Sequence, residues 1–395
     1  MRTKMKSKRA HGFDFIDSYS IKLAFPHIEQ VLLHLVNLSI EKSKFAKRWK
    51  IQLVLPLHKK NDKLEGSNYR PVSHIIEISK IVEYIVHDQV YQHFSINNIF
   101  HPNHHGFLEN HSTATALIQL YDLWIKAAEK QELSAALLLD QSAAFDVVDH
   151  QIFLQKLKVY KFSQNSIDWF KSYLESRIQY IQVESKLSDP GDPQDFGVPQ
   201  GSILGPLIYI IHCNDFPNST NSTENNPNGN NNDNENSSEN EDNDNGESVM
   251  YADDNTDNVH DKDYSALTNK IQNEANKSSS WIKDNKLVCS GEKTKLLIIG
   301  TLEQKRKLKN QGIEIEIDVC GERVRETESE KLLGLVINEE MTWKHYLYGE
   351  KWREEKKDNF PGLIPKLTKR VGLLKHLRNK MCDKTFNLIS SGIIN

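Results

Sequence analysis

Cysteine is scarce in these 395 residues. The four, Cys213, Cys289, Cys320 and Cys382, lie too far apart for a disulfide framework or a paired-cysteine zinc set. No disulfide-linked partner is expected. Long hydrophobic runs are also missing. The longest, Ile203 to Ile211, falls short of the roughly 18 apolar residues that cross a bilayer, so no membrane association is expected. The basic start, Met1 to Ala10, is not followed by the apolar segment and small-residue cleavage site of a secretory signal. These absences read as an intracellular chain, nuclear or cytoplasmic. Only 9% of residues are aromatic, but 38% are hydrophobic, which suffices for packed cores. The length argues for two or three lobes.

Charge is unevenly spread. Asn218 to Gly246 holds 13 Asn and seven acidic residues among 29, with no Lys or Arg. Such a segment has too little apolar surface to offset the entropy of ordering, and is expected to be a disordered loop. Outside it the formal charge of −4 becomes +3, and both chain ends are basic. Basic ends fit a protein that grips phosphates at its periphery; lysine-rich solvated helices fit the charge equally well.

Apolar spacing predicts helices over Ile28–Ile40, Val72–His93, Ser112–Glu129 with Ser112 as N-cap, Ile152–Leu157, Ile167–Leu174, Ser202–Cys213 and Tyr264–Lys286. Strands are expected over Trp49–Leu57, Ala135–Asp140, Gln179–Val183, Ser248–Tyr251 and Leu296–Ile299. Ile313–Val319 with Leu332–Ile337 reads as a sheet edge, and Leu363–Ile394 as a basic helical end.

Three carboxylates each close an apolar strand: Asp140 after Leu137-Leu138-Leu139, and Asp253 with Asp254 after Val249-Met250-Tyr251-Ala252. Brought together, they would offer hard oxygen ligands to Mg²⁺, which binds through one or two carboxylates plus substrate phosphates. An Asp-Asp pair alone is more often a turn or a cap, so context decides. His101, His104, His105 and His111 match no common zinc spacing.

The context is an ordered series: Asn68-Tyr69-Arg70-Pro71-Val72-Ser73, His105-Gly106-Phe107 with His111-Ser112-Thr113, Asp140 to Phe145-Asp146, Gly197-Val198-Pro199-Gln200-Gly201-Ser202-Ile203-Leu204-Gly205-Pro206, and Tyr251-Ala252-Asp253-Asp254. In that order they resemble the reverse transcriptase domain of non-LTR (LINE-type) retrotransposons of the jockey and CR1-like groups, over roughly residues 25 to 395. The resemblance implies an α+β right-hand polymerase with fingers, a palm whose antiparallel sheet carries the catalytic Asp residues, and a partial thumb. The corresponding organisation is a basic tail over 1–27, fingers and N-terminal helices over 28–130, palm over 131–217, the Asn-rich loop over 218–246, more palm over 247–340, and a truncated thumb over 341–395.

It also implies the chemistry: RNA-directed DNA polymerisation on an RNA template and DNA primer with deoxynucleoside triphosphates, using two Mg²⁺ ions with Mn²⁺ as substitute. Asp140, Asp253 and Asp254 match the catalytic metal ligands. Phe145 matches the steric gate that excludes a 2′-hydroxyl, and Arg70 the fingers arginine at the incoming nucleotide. Lys59 or Lys60 matches the lysine of the preceding strand, the register staying open. Gln200 and Gly201 match positions touching nucleotide and template. Lys293 and Lys295 fall where a lysine approaches pyrophosphate, though a solvated strand-edge lysine fits equally. Asp146 and Asp149 read as residues capping or orienting the helix that begins near His150.

Departures from the family pattern are visible as well. Leu108 and Glu109 stand where a basic residue follows the family's Gly-Phe, and Asp257 is expected to add charge near the metals. No endonuclease and no Cys/His knuckle accompany the polymerase motifs, so the chain reads as a fragment. A catalytically silent transposon relic, binding nucleic acid through Arg70 and its basic ends, is the competing reading. An RNA-dependent RNA polymerase ranks third, because it has no reason to place an aromatic gate at Phe145.

Overall fold

Leucine and alanine fill the first part of strand β3 (Leu133–Ser142), and Ala135, Ala136 and Leu137 are fully buried, with both faces of the strand covered. The structure, a computed structural model, describes residues 9–59, 62–142, 145–184, 186–192, 195–216, 246–311, 314–339 and 341. The expected Asn-rich loop (except Gly246), the thumb and basic helical end beyond Met341, Lys60, and residues 1–8 of the basic tail lie outside the described residues.

β3 is the centre of a seven-stranded sheet. Antiparallel neighbours flank it: β7 (Asp254–Asp261) on one side and β9 (Lys295–Ile299) on the other. β6 (Glu247–Tyr251) forms a hairpin with β7 and ends that edge, while β11 (Glu322–Thr327) and β10 (Glu316–Val319) extend the other. β8 (Val288–Cys289) pairs with the last residues of β3.

Strand alternation sorts the core into two layers. Ala136, Val249, Leu297 and Ile299 face α3 (Thr113–Glu129) through Leu117, Leu120 and Trp124. Ala135, Leu137, Leu139, Leu296 and Ile298 face the opposite way, into the main core with α6 (Leu204–Cys213) and α7 (Tyr264–Asp284). α3 starts where its sequence says it should: Ser112 and Thr115 cap each other reciprocally, satisfying amides that the first turn leaves open. Asp149 and Ser163 cap α4 (His150–Val159) and α5 (Gln164–Leu174) by accepting from the Ile152 and Ser166 N–H groups.

A second sheet of four strands has the order β2-β1-β4-β5. It comprises β1 (Ile51–His58), β2 (Tyr69–Ile75), β4 (Ile178–Val183) and β5 (Lys186–Leu187). Here the expected helix from Val72 is cut short. The stretch to Ile75 is strand, paired with β1 from Gln52↔Ile75 to His58↔Tyr69, and α2 (Glu77–Ile96) begins only afterwards. Its apolar spacing fits either period, and the free edge of β1 decides for the strand, as tertiary pairing commonly does for β-branched residues.

Three further differences have local causes. α1 (Ser18–Glu41) begins well before Ile28, because Asp17 accepts from the Ser20 N–H and caps it there. By length and composition α1 is long and apolar enough to cross a membrane; its apolar residues are interleaved with polar ones, so counting uninterrupted runs overlooks it. Ile21 and Leu32 pack on Ile81 of α2. The sheet edge expected over 313–319 and 332–337 divides between two local hairpins: β10 with β11, where β10 is the outermost strand of the seven-stranded sheet, and β12 (Ser329–Leu332) with β13 (Leu335–Asn338), a separate two-stranded sheet. Their turns, Cys320-Gly321 and Leu333-Gly334, all have positive φ, the geometry that closes two-residue hairpins. α8 (Leu302–Gln311) was not anticipated.

Candidate active site

Asp140 and Asp254 are directly opposite each other at one end of the β3–β7 ladder, so their side chains share a face. Asp253 occupies the two-residue turn between β6 and β7, whose first residue, Ala252, has φ 57. A non-glycine residue in this left-handed region is held by its surroundings. The holding contact is visible. Gly106 lies so close that a Cβ there would come within 2.2 Å of the Ala252 nitrogen, while the His105 N–H donates to the Met250 carbonyl at 2.7 Å and the Met250 N–H to the Asn103 carbonyl at 2.9 Å.

The three carboxylates feel one another. Asp254 is pushed up to about 6, by partial desolvation first and then by the charges of Asp253 and Asp140. Desolvation also raises Asp253, with Asp140 adding to the rise and the positive charge of Arg70 opposing it. Arg70 is therefore electrostatically coupled to the turn although it stands on β2, opposite Leu57. Among the described residues no three acidic, His or Cys side chains close into a ready-made metal cage. The carboxylates leave coordination positions for other oxygens, as sites that share a cation with substrate phosphates do. Lys293 Nζ stands 3.6 Å from Asp140 Oδ1, whereas Lys295 Nζ donates to the Glu292 carbonyl at 2.6 Å.

Asp257 does not sit beside the carboxylate pair. It is an odd number of residues from Asp254 along β7, so it faces the opposite side of the sheet, where it is fully buried. Hydroxyls of Ser248 and Ser278 donate to its two oxygens at 2.6 and 2.5 Å. The expectation that it adds charge at the metals is corrected by this alternation.

Phe145 follows β3 in a turn and is half buried. Its ring lies 5.1 Å from that of Tyr209, which is itself fixed by donating to Gln141 Oε1 at 2.7 Å. Phe107 meets Phe145 edge-on at 5.8 Å. The Gly106-Phe107 pair thus seats both the Ala252-Asp253 turn and the aromatic ring; the sequence offered only the adjacency of the two residue types as a signal.

The segment Gly197 to Ser202 is clamped from four directions. Gly197 and Val198 N–H groups donate to the Val148 and Phe145 carbonyls, both at 2.8 Å, and Ser73 N–H on β2 donates to the Gln200 carbonyl at 2.8 Å. Gly201 has φ 123, and a Cβ there would stand 2.5 Å from the Ser73 carbonyl oxygen, so glycine is required for packing on β2. Glu83 on α2, fully buried, accepts from the Ile203 and Leu204 N–H groups at 2.8 and 3.4 Å and caps α6. Burial pushes its carboxyl above the usual range. Nothing in the sequence around Glu83 distinguishes it from a solvent-facing helix residue.

Asp146 is not a helix cap. Asp149 fills that role, accepting from the Ile152 N–H at 2.9 Å, and Asp146 instead receives the Gln200 side-chain amide, Nε2 lying 2.8 Å from each carboxylate oxygen. Lys59 is exposed just beyond β1, its N–H donating to the Asn68 carbonyl. His105 is occupied as well, with Nδ1 2.9 Å from Thr115 Oγ1 and Nε2 2.7 Å from Gln119 Oε1, which leaves no imidazole nitrogen for zinc.

Comparison with known proteins agrees with this arrangement. A family model described as reverse transcriptase (RNA-dependent DNA polymerase) matches residues 57–337, well over half of the chain and inclusive of every motif above. The chain belongs to the reverse transcriptase family. It is 25% identical over 348 residues to the RNA-directed DNA polymerase from mobile element jockey of Drosophila melanogaster, covering 87% of this chain and 35% of that protein. It is 31% identical over 212 residues to the probable RNA-directed DNA polymerase from transposon BS of the same fly, covering 53% of this chain and 23% of the relative. For the transposon X-element protein the identity is 29% over 216 residues, covering 54% and 24%. The chain spans about a third or less of the length of these relatives.

Proposed function

We propose that this chain is an RNA-directed DNA polymerase of a non-LTR retrotransposon, adding deoxynucleotides to a primer 3′ end on an RNA template. The observation that carries the reading is the register Asp140↔Asp254 with Asp253 in the adjoining turn. In this reading the seven-stranded sheet is the palm, the four-stranded sheet with α2 the fingers, and residues 341–395 belong to a thumb.

The donor set fits a pair of Mg²⁺ ions, or Mn²⁺ in their place. Asp140, Asp253 and Asp254 are hard oxygen ligands, mutually repelling and only partly desolvated, and they would hold the ions. When bound, such ions lower the barrier to in-line displacement at the α-phosphate by stabilising the attacking and leaving oxygens. The protein's own groups do the remaining work. Arg70 offers a planar guanidinium to stack on or clamp the incoming nucleotide, and Lys59 or Lys60 would add positive charge. Lys293, near Asp140, is better placed to meet pyrophosphate than Lys295, whose ammonium is already bound to a carbonyl. Phe145, backed by Tyr209 and Phe107, would lie beneath the sugar and leave no room for a 2′-hydroxyl. Gln200 and Gly201 would meet the nucleotide and template beside it.

Primer extension on an RNA template with Mg²⁺ tests this. Asp253→Ala is expected to reduce extension by at least about a thousandfold, the scale of losing a preorganised charge-stabilising group. Phe145→Ala should raise ribonucleotide incorporation with extension retained. Equal use of ribo- and deoxynucleotides by the unsubstituted chain would remove Phe145 as the gate. No extension at all would favour the relic reading, leaving weak salt-sensitive nucleic-acid binding.

A further inference from the structure

Gln200 is held at both its ends. Its carbonyl accepts from Ser73 on β2 at 2.8 Å, and its side-chain amide nitrogen lies 2.8 Å from both oxygens of Asp146. An amide can present either its oxygen or its nitrogen to a ligand, and the two orientations differ only by a flip about the last torsion. A carboxylate accepts and does not donate, so Asp146 selects one of them. Nε2 turns toward Asp146, and Oε1 is left as an acceptor.

The backbone makes this pairing obligatory. The turn after β3 and the segment before α6 are zipped together by the Gly197 to Val148 and Val198 to Phe145 bonds, and by His150 Nε2, which donates to the Gly197 carbonyl at 2.8 Å. Gly197 has φ 81, and a Cβ there would come within 2.7 Å of the Asp146 carbonyl oxygen, so the two strands of this ribbon touch. Asp146 and Gln200 emerge from it side by side and both line a cavity of about 240 Å³, as do Pro71, Ser73 and Arg177. Asp146 is the residue next to Phe145, so the ring and the amide are set by one turn.

We infer that Asp146 is a positioning residue for nucleotide selection: it orients the Gln200 amide so that Oε1 accepts a hydroxyl or amine hydrogen of the incoming nucleotide. The inference rests on the polymerase reading and deepens it. Asp146 itself need not touch substrate. Its effect passes through Gln200, and that gives the test.

The experiment is a double-mutant cycle on the full chain, measuring KM for deoxynucleotide and kcat in single-nucleotide extension on an RNA template. Asp146→Ala is expected to raise KM about tenfold with kcat changed less than about twofold, the scale of one hydrogen bond to a charged group. Gln200→Ala should do the same, and the double variant should be no worse than Gln200→Ala alone, because the acceptor has no amide left to orient. Asp146→Asn keeps a carbonyl acceptor and should restore KM to within about threefold of the original. Thermal melting separates misfolding from loss of orientation. If Asp146→Ala misfolds, Asp146→Leu, similar in shape but without an acceptor, carries the cycle in the two Gln200 backgrounds. Additive effects, or a loss confined to kcat, would overturn the inference while leaving the polymerase reading standing. Failure of the unsubstituted chain to extend would overturn both.

Discussion

β3 and β7 lie side by side, each places a carboxylate of the candidate site at the same end of their shared ladder, and they are built from opposite materials. β3 reaches Asp140 through Ala135, Ala136, Leu137, Leu138 and Leu139, and is buried by its own composition. β7 runs Asp254-Asn-Thr-Asp-Asn-Val-His-Asp, and yet Asn255, Thr256, Asp257 and Asn258 are all buried. A strand can therefore be driven into the core by the ladders on either side of it, provided its polar side chains find partners there. Most of those on β7 do. Asn258 Oδ1 accepts from Trp124 Nε1 at 2.9 Å and Asp257 is met by two serine hydroxyls. Asn255 is the exception, with neither side-chain polar atom hydrogen-bonded within the described structure.

The contrast can be broken first on the apolar side. Leu137→Ala removes a fully buried side chain from the main core, and chemical denaturation should show a loss of about 3–4 kcal/mol, from transfer and cavity terms together. A loss below about 1 kcal/mol would mean that β3 does not anchor the sheet.

On the polar side the expected signature is pH dependence. Burial raises Asp257 to about 6 from an ordinary value near 3.8, against the lowering effect of its serine partners. A carboxyl raised on folding binds its proton more tightly in the folded chain, so its relative stabilisation is complete below about pH 3.8 and is lost as pH rises through about 6. Across that window the stability difference between the unsubstituted chain and Asp257→Asn should change by about 3 kcal/mol, in favour of the unsubstituted chain at low pH. A flat difference would show that Asp257 folds as a charged group.

The smallest effect sharpens the comparison. Asn255→Leu replaces an unsatisfied buried amide by an apolar group of similar shape facing Leu139. A gain of about 1 kcal/mol in unfolding free energy is expected, and a loss would indicate that Asn255 has a partner after all.

This same contrast explains what was legible in the sequence. β3, α3 with its Ser112 cap, and the helices that cover the sheet announce themselves by apolar period. The order of motifs was enough to bring Asp140, Asp253 and Asp254 under one hypothesis. β7 could not be read as a strand from its own residues, and none was expected there. Residues acting over distance were equally hidden. Asp146 looked like a cap because Asp149 is nearby and does cap. Glu83 meets α6 only in three dimensions, and Gly106 is required by Ala252, which lies far along the chain. The Val72 stretch fits two periods, and the neighbouring strand β1 chose between them.

The segment from Asn103 to His105 has a consequence beyond seating the Ala252-Asp253 turn. β6 is the last strand of its sheet, and a bare outer strand recruits strands of other molecules into fibres and aggregates. Here Met250, in the middle of that outer edge, has its N–H and carbonyl taken by Asn103 and His105. The loop thus acts as a selvedge: the contact that holds Asp253 in place also finishes the open side of the sheet, so that loosening it would endanger the solubility of the chain along with its chemistry.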